Sequence, residues 1–157
     1  MRPHALASLA LSCCLCLSLA SLSPSFATES NTTQPVAAAT QTQRLVIQVN
    51  KENAELQDHV LSNIVNLQKY FGIDNIEIEV VAYGPGIWFL TADSTYKPRI
   101  ESLMLQNVVF TACGNTLDTI AAKDGKRPAL IEGVETTQAG IARIMERQQQ
   151  GWNYLSP

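Results

Sequence analysis

Few side chains in this sequence are equipped for covalent chemistry, and the most pointed of them is Cys113. It stands in the stretch 107–116, NVVFTACGNT, between an apolar run and a glycine followed by two residues that favour helix starts. Val108, Val109 and Phe110 read as a short strand buried on both faces. Gly114 permits a tight exit, Asn115 and Thr116 suit a helix N-cap, and LDTIAAK continues as a helix. A sulfur at such a junction meets unpaired backbone N–H groups, which favour the thiolate, the nucleophilic form of cysteine. The chemistry on offer is that of a thiolate nucleophile. The competing reading is an inert cysteine packed in a core, because free cysteine is among the most buried residue types. Spacing leaves both open.

Other cysteine chemistries fit poorly. A phosphatase loop needs an arginine six residues after the nucleophile, where Thr119 stands. A rhodanese-like cradle wants cations or many amides, whereas residues 114–118 carry no cation and one acid, Asp118. A thioredoxin-type pair needs a second cysteine at position 116, which is threonine. A cysteine hydrolase wants a histidine base, and His59 lies mid-helix on the flank of the molecule.

Composition sharpens the case. The 157 residues suit one domain, and a net charge of −3 gives no electrostatic reason to expect nucleic acid. The start reads as a signal peptide over residues 1–27: Arg2, an apolar run over 5–20, and Ser25-Phe26-Ala27 as the small-residue site, with cleavage after Ala27. A membrane anchor is disfavoured by the short, serine-interrupted run. A lipoprotein reading at Leu11-Ser12-Cys13-Cys14 is weaker, because Cys13 occupies a small-residue position. Cleavage removes Cys13, Cys14, Cys16 and His4, and moves the net charge one unit further below −3. The mature chain is then left with Cys113 and His59, which excludes an internal disulfide and a Cys/His zinc site. A lone thiol in an oxidising compartment is a liability unless buried or used. Residues 28–43 read as a disordered linker, in which Asn31-Thr32-Thr33 is a chance match to the glycosylation pattern.

The elements that must position the sulfur follow from periodicity. Order begins at Arg44 with the strand LVIQV. A helix follows with Leu56, Val60, Ile64, Leu67 and Phe71 on one stripe, ended by Gly72. Ile76, Ile78 and Val80 alternate with Glu77 and Glu79, which predicts a second strand at a sheet edge with one wet side. A helix capped near Asp93-Ser94 runs through Met104, its regular part starting near Pro98. After the cysteine junction, Ala129-Leu130-Ile131 predicts a fourth strand. Thr136 or Thr137 then caps a helix with Ile141, Ile144 and Met145 as its apolar face, and residues 152–155 give a last strand. The alternation implies a three-layer α/β/α domain over 44–157, with a mainly parallel sheet of about five strands.

In such sheets the ligand crevice lies at the carboxyl ends of the strands. Asn50, Tyr83, Gly84, Pro85, Gly86, Gly114, Asn115, Thr116 and Glu132 fall at that edge with Cys113 and are the predicted pocket residues. Gly84-Pro85-Gly86 lacks the pattern of a phosphate loop and reads as a strand-exit turn that, with Tyr83, walls the pocket. Trp88 and Phe89 suit pocket, core or subunit contact alike, and Trp152 and Tyr154 pack the terminal strand. Glu132 suits a proton acceptor at the rim or a solvated acid. No metal and no cofactor is expected.

The segments YGPGI at 83–87, VVFTACGNT at 108–116 and QQQGWNYLSP at 148–157 together resemble the DsrE/DsrF-like family of sulfur-relay proteins, over residues 44–157. The resemblance implies a parallel α/β fold, self-association as trimers or hexamers, and a cysteine that carries sulfur as a persulfide, a role Cys113 inherits. It also implies protein donors or acceptors of sulfur as partners. Those family members act inside the cell, whereas this chain reads as exported to the periplasm. The expectation is an exported sulfur carrier or transferase without independent turnover. The alternative is a non-catalytic oligomeric binding or assembly module with a structural cysteine.

Overall fold

The computed structural model describes residues 42–157. The predicted signal peptide, its cleavage site and residues 28–41 of the linker lie outside them. Strands β1 (Gln43–Val49), β2 (Ile76–Ala82), β3 (Val108–Cys113), β4 (Glu135–Thr137) and β5 (Asn153–Leu155) form one sheet in the order β4-β3-β2-β1-β5. Every pairing is parallel. Helices α1 (Ala54–Phe71), α2 (Lys97–Met104), α3 (Gly114–Asp124) and α4 (Gly140–Gln149) connect the strands in alternation. The three-layer α/β/α reading holds.

Local sequence explains the elements. Asn53 caps α1, its Oδ1 accepting the Leu56 N–H at 2.8 Å. Val60, Leu61 and Ile64 bury the stripe of α1, with Leu56, Leu67 and Phe71 packed at its margins. Pro98 sits in the first turn of α2, where its missing N–H costs nothing. The main core joins α1, α2 and α3, through Ile64, Ile100 and Leu117, to Ile47, Val80 and Phe110 of the sheet. Each such fully buried side chain contributes about 1.5–3 kcal/mol relative to exposure. On the opposite face, α4 packs Ile144 against Val46, Val81 and Trp152.

Four expectations are corrected. First, β2 lies in the middle of the sheet, between β1 and β3, and not at an edge. Its Glu77 is exposed, but Glu79 is fully buried, because arginines from α4 neutralise it. Second, residues 129–131 form no sheet strand. Leu130 makes an isolated antiparallel bridge with Thr91, and Ile131 buries its side chain under that loop. The strand that pairs β3 is the polar Glu135–Thr137, which carries no apolar signal because only three residues of it pair at the sheet edge. Third, α4 therefore starts at Gly140, after Thr136 and Thr137. Fourth, α4 buries Ile144 but leaves Ile141 53% and Met145 56% exposed, so the sheet covers only one edge of its apolar face.

Candidate functional site around Cys113

Cys113 ends β3 and is the residue that precedes the first turn of α3. Its backbone is extended, with φ −77° and ψ 116°, so the strand passes into the helix without a loop. Asn115 and Thr116, expected as caps, instead occupy that first turn. Gly114 fits closely here: a Cβ on it would stand 3.1 Å from the Thr137 carbonyl oxygen, so a larger residue would need the end of β4 to give by a few tenths of an ångström.

The end of β4 brings a second helix start to the sulfur. Thr137 pairs with Cys113, and after two intervening residues the chain enters α4. The N–H of Gly140, the first residue of α4, donates to Cys113 Sγ at 3.2 Å. A Cβ on Gly140 would lie 3.1 Å from the Cys113 Cβ and 3.3 Å from that of Tyr83, so any side chain there would press the helix away from the sulfur by a few tenths of an ångström. The sulfur thus sits between the leading ends of two helices, where N–H groups and helix dipoles favour negative charge. On another side, the Gln138 carbonyl oxygen lies 4.0 Å away and accepts the proton of the neutral thiol.

Burial pushes the Cys113 thiol pKa up, since the residue is only 6% exposed. Hydrogen bonds from the Gly140 N–H, the Thr116 hydroxyl and the Thr116 and Asn115 N–H groups outweigh that and hold it below the ordinary thiol value. Gly84 supports this indirectly. Its N–H donates to Thr116 Oγ1 at 3.0 Å, which leaves the hydroxyl hydrogen for the sulfur.

The structure gathers most of the predicted pocket residues. Asn50 Nδ2 reaches the Tyr83 hydroxyl at 3.5 Å. Tyr83 also touches Gly140, and its N–H donates to the Val49 carbonyl at 3.1 Å. Gly84, Pro85 and Gly86 open a short 3-10 turn that leaves the sheet beside them, with Pro85 exposed. Asn115 is tied to the loop before α4 twice, by its N–H to the Gln138 carbonyl at 2.9 Å and by its Oδ1 to Gln138 Nε2 at 2.6 Å.

Glu132 does not join them. With Glu135, Met104 and Leu105 it lines a separate cavity of about 450 Å³ beside Val108 and Val109, the first residues of β3. The chain passes the strand end later than the residue order suggested, because residues 129–131 are not β4. Phe89 is core, Trp88 is 38% exposed, and His59 is an exposed residue of α1.

Sequence reasoning missed Gln138 and Gly140, which approach the sulfur from another element. It also missed a buried cluster on the same face. Glu79 Oε1 accepts from Thr111 Oγ1 at 2.7 Å and from Arg143 Nε at 2.9 Å, and Oε2 accepts from Arg147 Nε. The available signal was Arg143 and Arg147, four residues apart on one side of α4 and flanking the buried Ile144. Among the described residues no cluster of three or more His, Cys, Asp or Glu is arranged to hold a metal.

Comparison with known proteins supplies the relatives. No curated protein matches the chain. Among solved structures, the protein of unknown function MTH1491 from Methanobacterium thermoautotrophicum is 34% identical, with a TM-score of 0.67 over 73% of this chain and 99% of its own. Two others share the fold at lower identity. The ychN protein from E. coli is 17% identical, with a TM-score of 0.55 over 74% of this chain and 99% of its own. BT1422 from Bacteroides thetaiotaomicron, a conserved protein of unknown function, is 15% identical, with a TM-score of 0.53 over 73% and 95%. The model of the DsrE/DsrF-like family matches residues 33–157, and the chain belongs to that family.

Proposed function

We propose that this protein carries sulfur in a relay, with Cys113 as the transient persulfide. The observation that carries the reading is the placement of Sγ against the Gly140 N–H at 3.2 Å, between the starts of α3 and α4, with the thiol pKa held low. The Cys113 thiolate attacks the terminal sulfur of a donor persulfide. A new S–S bond forms, the donor's S–S bond breaks, and the donor leaves as a thiolate. No net oxidation occurs. An acceptor thiolate then repeats the exchange on Cys113 and restores it. The amides that favour the thiolate also favour the persulfide anion.

In this reading the mature protein is exported after cleavage following Ala27 and works in the periplasm as a homo-oligomer. The exposed Ile141 and Met145, one turn apart on α4, supply apolar surface for the subunit contact. The low exposure of Cys113 favours one rival, a binding or assembly module in which the cysteine is structural.

The test is incubation of mature protein with a low-molecular-weight persulfide, followed by intact-mass measurement. The relay reading expects one added sulfur atom on the wild type, lost on reduction and absent from Cys113→Ala. An unmodified wild type, or an equal adduct on Cys113→Ala, leaves the structural-cysteine module.

A further inference from the structure

Glu79 takes no part in sulfur exchange, yet it is fully buried in the strand beside Cys113 and bonded to two cations of α4. A buried carboxylate costs several kcal/mol to desolvate, and replacing such pairs by apolar groups is often neutral or stabilising. The attested use of a buried ionic group is to fix register, and register is what this site needs. Among the described residues, α4 is the helix that covers its side of the sheet, held by a small apolar cluster of Val46, Val81, Ile144 and Trp152. The ionic tie adds direction. Arg143 and Arg147 stand four residues apart and grip opposite oxygens of one carboxylate. Arg147 is further fixed by the Trp152 ring, 4.4 Å from its guanidinium, and by Gln150 Oε1 at 3.1 Å. Sliding α4 by one residue would move it about 1.5 Å along its axis, enough to break the contact between the Gly140 N–H and the sulfur.

We propose that Glu79 is a positioning residue for Cys113: by holding Arg143 and Arg147 it registers α4, so that the Gly140 N–H meets Sγ and sets the reactivity of the thiol. This rests on the reading of Cys113 as the reactive sulfur. The groups bonded to Sγ are themselves uncharged, so the charge of Glu79 acts through the helix.

Through-space electrostatics predict the opposite sign. Glu79→Gln leaves two unneutralised guanidiniums on the same face, which alone would favour the thiolate and shift reactivity to lower pH. Loss of register removes the Gly140 N–H and shifts it to higher pH. Arg143→Lys keeps the charge but loses the planar guanidinium, so it isolates geometry.

The experiment is native alkylation of Cys113 by iodoacetamide as a function of pH. The midpoint is the readout, because access alone changes the plateau. The proposal expects Glu79→Gln to move the midpoint to higher pH and to slow alkylation severalfold at neutral pH. Arg143→Lys moves it the same way by less, and Ile144→Val, which loosens the packing of α4 but keeps the tie, leaves it in place. A midpoint unchanged or lowered in Glu79→Gln overturns the proposal, as does an Ile144→Val shift equal to that of Arg143→Lys. Should Glu79→Gln fail to fold, a wild-type profile in Arg143→Lys overturns it alone. Failure of wild-type persulfide loading sinks the relay and leaves these profiles readable, so the two ideas fail separately.

Discussion

On the side covered by α1, α2 and α3, the strands present Ile47, Val49, Ile78, Val80, Phe110 and Ala112. On the other side, under α4, they present Val46, Glu79, Val81, Thr111 and Cys113. The first face is held by area, which is non-directional and tolerates repacking. The second adds to a small apolar cluster a few directional bonds, each of which fixes a position. The difference teaches that stability and site geometry are carried by opposite faces of one sheet, and perturbing either should show it.

The largest expected effect is on the apolar face. Phe110 is 1% exposed, and its ring meets Phe89 edge-on at 6.4 Å. Phe110→Ala should cost about 3–5 kcal/mol by urea unfolding. It should leave the alkylation midpoint of the folded fraction unchanged; a shifted midpoint would show that the faces are not separable.

A smaller effect is expected at Glu79. Burial pushes its carboxyl pKa up, but hydrogen bonds from Arg143, Thr111 and Arg147 and the Arg147 charge bring it below the ordinary value. A folded-state value below the unfolded one makes the carboxylate stabilising above the ordinary glutamate range. That contribution is lost as pH falls through the folded value. Glu79→Gln should therefore flatten the acid limb of the stability–pH curve. It should cost about 2 kcal/mol at neutral pH, less than a fully buried pair because the guanidiniums reach solvent. An acid limb as steep as wild type would mean the tie is not ionic.

The smallest effect on folding is expected on the outer side of α4. Ile141→Asp with Met145→Lys should change monomer stability by no more than about 0.5 kcal/mol. If the protein assembles through this side of α4, as proposed, sedimentation should show a smaller species for the double variant than for wild type. An equal sedimentation coefficient for the two would overturn that proposed contact.

The apolar face was legible because its signal is periodic. The stripe of α1, the strands around Ile47 and Ile78 and the junction at Cys113 all follow from the spacing of apolar residues. The polar face was not, because its pairs are distant in sequence. Glu79 alternates with apolar neighbours and reads as solvated until Arg143 and Arg147 are placed above it. Gly140 and Gln138 reach the sulfur only because the polar triplet Glu135–Thr137 pairs beside Cys113, and three such residues resemble a helix cap more than a strand. Leu130 and Ile131 misled for the converse reason, since a loop that crosses the core needs apolar residues too.

The turn after β2 has a consequence for any attempt to exchange parts among relatives. A Cβ on Gly86 would fall 2.2 Å from the Val49 carbonyl oxygen and 2.9 Å from the Asn50 Cα, so two chain segments distant in sequence touch backbone to backbone. The segments that follow β1 and β2 therefore cannot be transplanted singly. A chimera that swaps one must import the other, and a library that diversifies this rim must treat the two as a single cassette, with position 86 left invariant.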